Sequence, residues 1–268
     1  MLILEKAWAK VFGSYQRIEF GKAGESLSPL TGSPQRFRIH KDYLKDGDRL
    51  WDRILMADQL KFPMCTGVHP QAYQTIKKQK TLEAGLLDAH AYSLLQAKVI
   101  TLDDGTKERL LQIRNPWGFV EWNGDWSDKS TRWTESTKQQ VDFLDKEDGT
   151  FWIAWCDYVK FFYLTTIGYH LDSFVENTVE DMHDLNGFGL AKFTLTEDHP
   201  DYLVLSLDQI NARFLDEPKY VGNVLCSSYN YAPIKLVLTQ LVERKGKTIQ
   251  VYIHGDMGND SHIMLEFR

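Results

Sequence analysis

Hydrophobic side chains recur at helical spacing in two stretches near the start of the chain. The apolar positions of the first stretch, which ends at Gly13, are Leu2, Ile3, Ala7, Trp8 and Val11. Those of the second stretch are Leu50, Trp51, Ile54 and Leu55. Because apolar positions three and four residues apart fall on one side of a helix, both stretches predict amphipathic helices.

Between and after these helices the pattern changes to turns and strands. Residues 26–34 contain two prolines and a glycine and predict a turn region, and residues 37–40 predict a short strand. Residues 89–101 and 110–115 predict two longer strands, and the Asp-Gly pair within residues 103–106 between them is a strong hairpin signal.

The second half of the chain begins with a helical pattern and then becomes strand-rich. Residues 157–164 predict a helix. Six short strands are predicted at 190–195, 202–208, 220–227, 234–242, 248–254 and 262–267. Short strands separated by turn signals are typical of a β-sandwich. An acidic segment near the boundary predicts a solvated linker and holds Asp172, Glu176, Glu180, Asp181 and Asp184.

Tryptophan is concentrated in one segment. Six of the eight tryptophans lie between Pro116 and Trp155, namely Trp117, Trp122, Trp126, Trp133, Trp152 and Trp155. Because aromatic side chains bury large areas, this segment is expected to form a core and its lid.

Composition narrows the class of protein. The chain has 268 residues and a net charge of −6, which describes a globular chain long enough for two domains. An acidic balance argues against nucleic-acid binding, which depends on clustered Lys and Arg. Three widely spaced cysteines, Cys65, Cys156 and Cys226, suggest neither a disulfide framework nor a zinc site. With no long apolar run or leader pattern, a reducing, cytoplasmic location is expected.

His90 and Asn115 stand at the end of the predicted hairpin that is opposite its turn. The two arms differ in length, so a bulge or a loop must absorb the offset before these residues can meet. A histidine oriented by an Asn side-chain oxygen is the base half of a Cys/His/Asn protease. From spacing alone, a hydrogen-bonded core histidine is the alternative.

The sequence around these two residues closely resembles the second half of the calpain cysteine protease core. The resemblance is carried by Leu87-Asp88-Ala89-His90-Ala91-Tyr92-Ser93 and by the ordered string Arg114-Asn115-Pro116-Trp117-Gly118, Glu121-Trp122, Gly124 and Trp126-Ser127-Asp128. It extends over about residues 2–165. It implies an α+β fold, in which the β-rich half of a papain-like cysteine protease core is followed by a partial antiparallel β-sandwich.

The resemblance also implies roles for individual residues. His90 would be the general base, Asn115 its orienter, and Trp117 a shield that keeps water from the His–Asn hydrogen bond. Calpains bind calcium in this subdomain, and Glu121, Asp128 and Asp148 match its carboxylate ligands. Thr150 replaces a further acid that is common in the family, which predicts weaker calcium affinity; a solvated acidic loop is the alternative.

The nucleophilic cysteine of calpains, and the group that stabilises the oxyanion, lie upstream of the segment matched here. Cys65, Cys156 and Cys226 fall in structural contexts, so the expected partner is a Cys-bearing protease subdomain and this chain is expected to be inactive alone. The expected domains are residues 1–168, the His/Asn half, and residues 169–268, the partial sandwich.

The expected substrates are proteins or extended peptides. If the partner of the first helix lies in the missing subdomain, Ile3, Trp8 and Val11 would form an exposed apolar patch. A non-catalytic, calcium-responsive binding or scaffold protein derived from a calpain is the second hypothesis, and an unrelated β-rich binding module is the third. Membrane association is left undecided by the sequence.

Overall fold

A computed structural model describes residues 2–19, 21, 23–68, 78–175, 202–209, 219–221, 224–226, 233–244, 247–258 and 262–267. The chain divides into two compact units, Met1–Leu171 with Pro218–Cys226, and Asp172–Glu217 with Ser227–Arg268. No helix within these described stretches is both long and apolar enough to cross a bilayer.

The first unit mixes helices and strands, which confirms the α+β class. Its helices are α1 (Leu2–Phe12), α2 (Gly24–Thr31), α3 (Gly47–Gln59), α4 (Lys78–Glu83), α5 (Glu135–Gln140) and α6 (Trp155–Phe161). Its main strands are β1 (Gln35–Ile39), β2 (Met64–Val68), β3 (His90–Thr101), β4 (Lys107–Arg114), β5 (Thr150–Ala154) and β6 (Leu164–Gly168). A short hairpin of β8 (Lys219–Val221) and β9 (Val224–Cys226) also belongs to this unit.

The six main strands form one antiparallel sheet in the order β1-β6-β2-β3-β4-β5. The predicted hairpin is confirmed as β3 and β4. A bulge absorbs part of the expected offset between its arms, because the pairing register shifts by one residue between Leu94 and Gln96. A bulge adds one unpaired residue and bends the strand. With this bulge, Arg114 at the end of β4 pairs with Ser93, three residues after the start of β3.

Tryptophans form much of the core, as expected. Trp126, Trp133 and Trp152 are buried together with Ile100 and Leu110 between β3, β4, β5 and α5. Two of these rings, Trp126 and Trp133, meet edge to face with centroids 4.7 Å apart. Such pairs add stability beyond the area that they bury.

The helix α1 presents apolar side chains to solvent on one side. Ala9 and Phe12 are buried, whereas Ile3 is 84% exposed and Val11 is 58% exposed. Trp8 is half-buried and packs its ring against Phe12. The exposed part of the expected patch therefore consists of Ile3 and Val11.

The turn region predicted at residues 26–34 is wrong, because most of it forms helix α2. Pro29 lies inside this helix and lacks the N–H that would continue its hydrogen bonds. Two side-chain hydroxyls add hydrogen bonds to backbone carbonyls along the helix: Ser26 donates to the Ala23 carbonyl and Thr31 donates to the Leu27 carbonyl. Close packing fixes α2 against the sheet, since a Cβ on Gly24 would lie 2.6 Å from the Thr166 side chain.

The helix predicted at residues 157–164 is displaced. It runs from Trp155 to Phe161, and Leu164 already belongs to β6. Strand β6 is buried throughout between β1 and β2, and this continuous burial hides the alternation by which half-exposed strands are recognised.

The second unit contains β7 (Leu203–Asp208), β10 (Ile234–Arg244), β11 (Lys247–Gly258) and β12 (His262–Phe267). Strand β10 pairs with β11, and β12 pairs with β7, all antiparallel. The strand predicted at 220–227 is wrong as one element, because β8 and β9 pair with each other in the first unit. The strand predicted at 190–195 and most of the acidic segment lie outside the described residues.

Candidate active site

The β3–β4 hairpin and the neighbouring strand β2 position the two predicted catalytic residues. His90 is the first residue of β3 and stands opposite Val68 of β2. Asn115 follows Arg114, the last residue of β4, and its backbone N–H donates to the Gly149 carbonyl at 2.8 Å. His90 is half-buried, while Asn115 is fully buried.

The side chains of His90 and Asn115 are hydrogen-bonded, with His90 Nε2 2.9 Å from Asn115 Oδ1. The amide orientation of Asn115 is fixed by its other contacts. Its Nδ2 donates to the carbonyls of Phe119 at 2.7 Å and Val120 at 3.0 Å, and its Oδ1 accepts the Trp117 N–H at 3.1 Å.

Because Asn115 Oδ1 can only accept, His90 Nε2 must carry a proton. In the neutral ring the lone pair then lies on Nδ1, and within the described residues Asn115 is the one side chain that hydrogen-bonds the His90 ring. This arrangement gives His90 a base nitrogen that faces away from its orienter.

Aromatic rings flank the His90–Asn115 pair. The Trp117 ring lies 4.6 Å from the His90 ring, and the Tyr92 ring meets it edge to face at 4.9 Å. Trp117 is itself 57% exposed, so it covers one side of the pair and leaves its own outer face in solvent.

The three predicted calcium ligands serve as hydrogen-bond acceptors for nearby loops. Glu121 Oε1 accepts the backbone N–H of Gly149 at 2.7 Å and of Asp148 at 3.1 Å. Asp148 Oδ1 accepts the Thr150 N–H at 3.0 Å. Asp128 Oδ2 accepts the Lys146 N–H at 3.2 Å.

Burial raises the pKa of Asp128 to about 6, and the nearby carboxylates of Glu121 and Asp145 add to the rise. Across the described part of the chain, no group of three or more His, Cys, Asp or Glu side chains is arranged to hold a metal ion. Among the described residues, Glu121, Asp128 and Asp148 therefore do not form a three-carboxylate metal site.

Neither described free thiol has the character of a protease nucleophile. Burial raises the pKa of Cys65 to about 11. Burial also raises the pKa of Cys156, and the carboxylates of Asp157 and Glu108 raise it further. A nucleophilic cysteine needs the opposite shift, toward the thiolate. The pKa shifts of Cys65 and Cys156 therefore do not favour the thiolate, and the side chain of Cys226 lies outside the described residues.

A second histidine, His40, is held quite differently. It is 5% exposed, and its Nδ1 lies 2.8 Å from the Phe162 carbonyl while its Nε2 lies 2.9 Å from the Thr165 hydroxyl. Burial lowers its pKa to about 4. Sequence reasoning did not single out His40, and its place at the end of a short strand carries no local signal of burial.

Sequence reasoning also missed the contribution of Gly149, which is buried and has a φ of +86°. A Cβ at this position would lie 2.6 Å from the Asn115 carbonyl oxygen. The Asp148-Gly149 pair is a recognisable turn signal, but nothing local indicates that the turn packs against Asn115.

Comparisons with known proteins identify the family of the chain. A family model described as calpain family cysteine protease matches residues 1–169. Human calpain-14 is 35% identical over 167 residues, which cover 62% of this chain and 23% of calpain-14. The maize calpain-type cysteine protease DEK1 is 39% identical over 167 residues, covering 58% of this chain and 7% of DEK1.

Calpain-8 of the rat is 33% identical over 160 residues, covering 59% of this chain and 22% of calpain-8. The chain thus spans less than a quarter of the length of each of these three relatives.

Proposed function

The chain belongs to the calpain family of cysteine proteases, and from this premise we propose that it supplies the His90–Asn115 half of a Cys/His/Asn endopeptidase. The observation that carries the proposal is the 2.9 Å hydrogen bond between His90 Nε2 and an Asn115 amide whose orientation is fixed by three further contacts. The proposed substrates are proteins or extended peptides.

In the proposed reaction, His90 Nδ1 takes the proton from a cysteine thiol, and the thiolate attacks the scissile carbonyl carbon. The imidazolium donates through Nε2 to Asn115 Oδ1, which stabilises its charge. His90 then gives its Nδ1 proton to the leaving amine as the C–N bond breaks. A water that loses its proton to His90 hydrolyses the thioester and regenerates the thiol.

The thiol comes, in this proposal, from a Cys-bearing protease subdomain. The raised pKa values of Cys65 and Cys156 support this assignment, because a thiol that stays protonated is a poor nucleophile. The same subdomain would also supply the donors that stabilise the oxyanion. By itself the chain is then proposed to be inactive.

The test joins this chain to the Cys-bearing subdomain of a calpain relative and follows hydrolysis of an unfolded protein. We expect His90→Ala to lower kcat by about 1,000-fold or more, since general base catalysis is worth roughly 10²–10⁴-fold. The matched control is His170→Ala, because His170 is a second partly exposed histidine that bonds Ser33 instead. Equal activity of the two variants would refute the role of His90.

Calcium-responsive binding without catalysis is the second candidate function. It is favoured by the proximity of two of the predicted ligands, because the carboxylate of Glu121 adds to the burial that raises the pKa of Asp128. A divalent cation would relieve their repulsion if the loops rearranged to bring them together. Proximity of these residues to Trp122 and Trp126 in the sequence provides an optical signal.

The measurement is a calcium titration followed by tryptophan fluorescence. We expect a saturable change that Asp128→Asn abolishes and that Glu135→Gln, an exposed acid paired with Lys138, leaves intact. A wild-type chain that does not respond to calcium would exclude this second function.

We also propose a cytoplasmic location. It is supported by the free thiols of Cys65 and Cys156, which suit a reducing compartment. Fluorescence microscopy of the tagged full-length protein tests it, and a signal confined to a secretory compartment would contradict it.

A further inference from the structure

The loop that carries Asn115 is closed into a ring by hydrogen bonds, which we call the Asn115 ring. Its members are Asn115, Phe119, Val120, Glu121, Asp148 and Gly149. On one side, the Asn115 side chain donates to the Phe119 and Val120 carbonyls. On the other, the Glu121 carboxylate accepts two backbone N–H groups, and the Gly149 carbonyl accepts the Asn115 N–H.

Gly149 transmits the position of Glu121 to Asn115. Its N–H is bound by Glu121 at 2.7 Å, and its carbonyl is bound by Asn115 at 2.8 Å. Gly149 also packs directly on the Asn115 backbone, where a Cβ would be 2.6 Å from the carbonyl oxygen. Any displacement of Gly149 therefore moves Asn115.

Glu121 also contacts the segment that leads into His90. A Cβ on Gly85 would lie 1.9 Å from the Glu121 carbonyl oxygen, so the two backbones are in close contact. Two residues beyond Glu121, Asn123 donates to the carbonyls of Ala84 at 3.1 Å and Glu83 at 2.7 Å. Glu121 thus lies where the segments before His90, after Asn115 and around Gly149 meet.

We propose that Glu121 is a positioning residue that holds Asn115, and through it His90, without a bound metal ion. Its Oε1 accepts two backbone N–H groups, so both lone pairs of this oxygen are engaged without a cation. Charge-assisted hydrogen bonds are roughly twice as strong as neutral ones, which suits a half-buried carboxylate to this task. The inference rests on the proposed function of the His90–Asn115 pair.

The test is NMR of the 268-residue chain in the presence of a calcium chelator. In the wild type we expect the His90 ring in one tautomer, with a slowly exchanging Nε2–H. Glu121→Ala is expected to mix the tautomers and to speed exchange of the Gly149 amide by about 10-fold or more, because a charged acceptor is lost. Glu121→Gln retains one acceptor oxygen and is expected to restore the single tautomer in part.

Two controls separate positioning from loss of fold. Asp145→Ala removes a nearby carboxylate that binds Lys129 and no member of the Asn115 ring, so it is expected to leave the His90 signals unchanged. If Glu121→Ala does not fold, the comparison is made with Glu121→Gln alone, which must then show faster Gly149 exchange than the wild type. Wild-type exchange in either variant that folds would overturn the proposal.

Calcium provides a separate test. If the single His90 tautomer of the wild type formed only when calcium was added, Glu121 would act through the metal and the inference would be wrong.

Measurements of activity distinguish this inference from the proposed function. In the chain joined to a Cys-bearing subdomain, Glu121→Ala is expected to lower kcat by about 10- to 100-fold with KM little changed. If Glu121→Ala left kcat unchanged while His90→Ala still lowered it, the Glu121 inference would fail and the proposed function would stand.

Discussion

The two histidines His40 and His90 lie at the ends of strands of one sheet, His40 directly after β1 and His90 at the start of β3, but they are held in opposite ways. His40 is buried, and its neutral ring must carry its proton on Nδ1, because the Phe162 carbonyl beside that nitrogen can only accept. His90 is half-buried and carries its proton on Nε2, facing Asn115. Both ring nitrogens of His40 thus form hydrogen bonds within the fold, whereas one ring nitrogen of His90 does so in the described residues.

This difference shows what makes a histidine suitable for proton transfer. Burial lowers the pKa of His40 to about 4, so the ring stays neutral near pH 7 and its hydrogen bonds serve stability. A partly exposed ring that is oriented through one nitrogen keeps the other nitrogen for a substrate or a nucleophile. The exposure of the ring and the number of its nitrogens that are hydrogen-bonded, more than the presence of a hydrogen bond, distinguish a structural histidine from one suited to proton transfer.

The largest effect expected from this comparison is on stability. His40→Ala should lower the free energy of unfolding by about 3–4 kcal/mol, because it opens a cavity and leaves the Phe162 carbonyl without its donor. His90→Ala should cost less than about 1 kcal/mol. Urea unfolding followed by tryptophan fluorescence measures both values, and similar losses would remove the distinction.

Acid should weaken the fold through His40. Its pKa is lowered from 6.5 to about 4 in the folded chain, so the unfolded chain binds more protons below pH 6.5. The contribution of neutral His40 to the free energy of unfolding is complete above pH 6.5. It is lost as pH falls toward 4, and the loss amounts to about 3 kcal/mol at most.

Asp128 has the opposite effect on stability over the same pH range. Because its pKa is raised in the folded chain, the folded chain binds its proton more readily and gains stability as pH falls. The measurement is therefore the difference in unfolding free energy between the wild type and His40→Gln at several pH values. A difference that does not change with pH would show that His40 does not titrate in this way.

A smaller effect is expected at the orienter. Asn115→Asp keeps the size of the side chain but places an oxygen against the Phe119 or Val120 carbonyl, so it should cost about 1–2 kcal/mol. Hydrogen exchange at Trp117 and Gly118 measures the local loosening. Protection equal to that of the wild type would mean that the Asn115 amide does not hold this loop.

The smallest effect is expected at the thiols. Alkylation of Cys65 should be much slower than that of a free cysteine, and Cys156, although exposed, should also react slowly because its pKa is raised. Cys156→Ser should change stability by less than about 0.5 kcal/mol. Timed alkylation with mass spectrometry tests this, and a fast-reacting Cys65 would reopen its assignment as a structural residue.

Local patterns predicted the elements that depend on nearby residues. The Asp-Gly turn identified the β3–β4 hairpin, and its unequal arm lengths called for a bulge or a loop, of which the structure has a bulge at Leu95. Helix α2 was missed because Pro29 favours a turn locally, whereas packing of Gly24 on the sheet favours the helix. The position of β6 between β1 and β2 depends on distant pairing that no local pattern records.

The sequence allowed the pairing of His90 with Asn115 to be predicted, but not the hydrogen bonds that hold this pair in place. His90 and Asn115 could be paired because hairpin geometry brings the two ends together. Glu121 was interpreted as a metal ligand or as part of a solvated acidic loop, since the amides that it binds lie 27 and 28 residues farther along the chain. The sequence shows which side chains carry charge, but not which backbone groups fold back to meet them.

The close contact between Gly85 and Glu121 has a consequence for folding order. It joins segments 36 residues apart in the sequence, and the Asn115 ring cannot close until Gly149 has arrived beside β4. Contacts of such high contact order are costly to form early, since loop entropy must be overcome first. We therefore expect the His90–Asn115 pair to be completed late, after the β3–β4 hairpin has formed, so that a nascent chain would present His90 before its partner is in place.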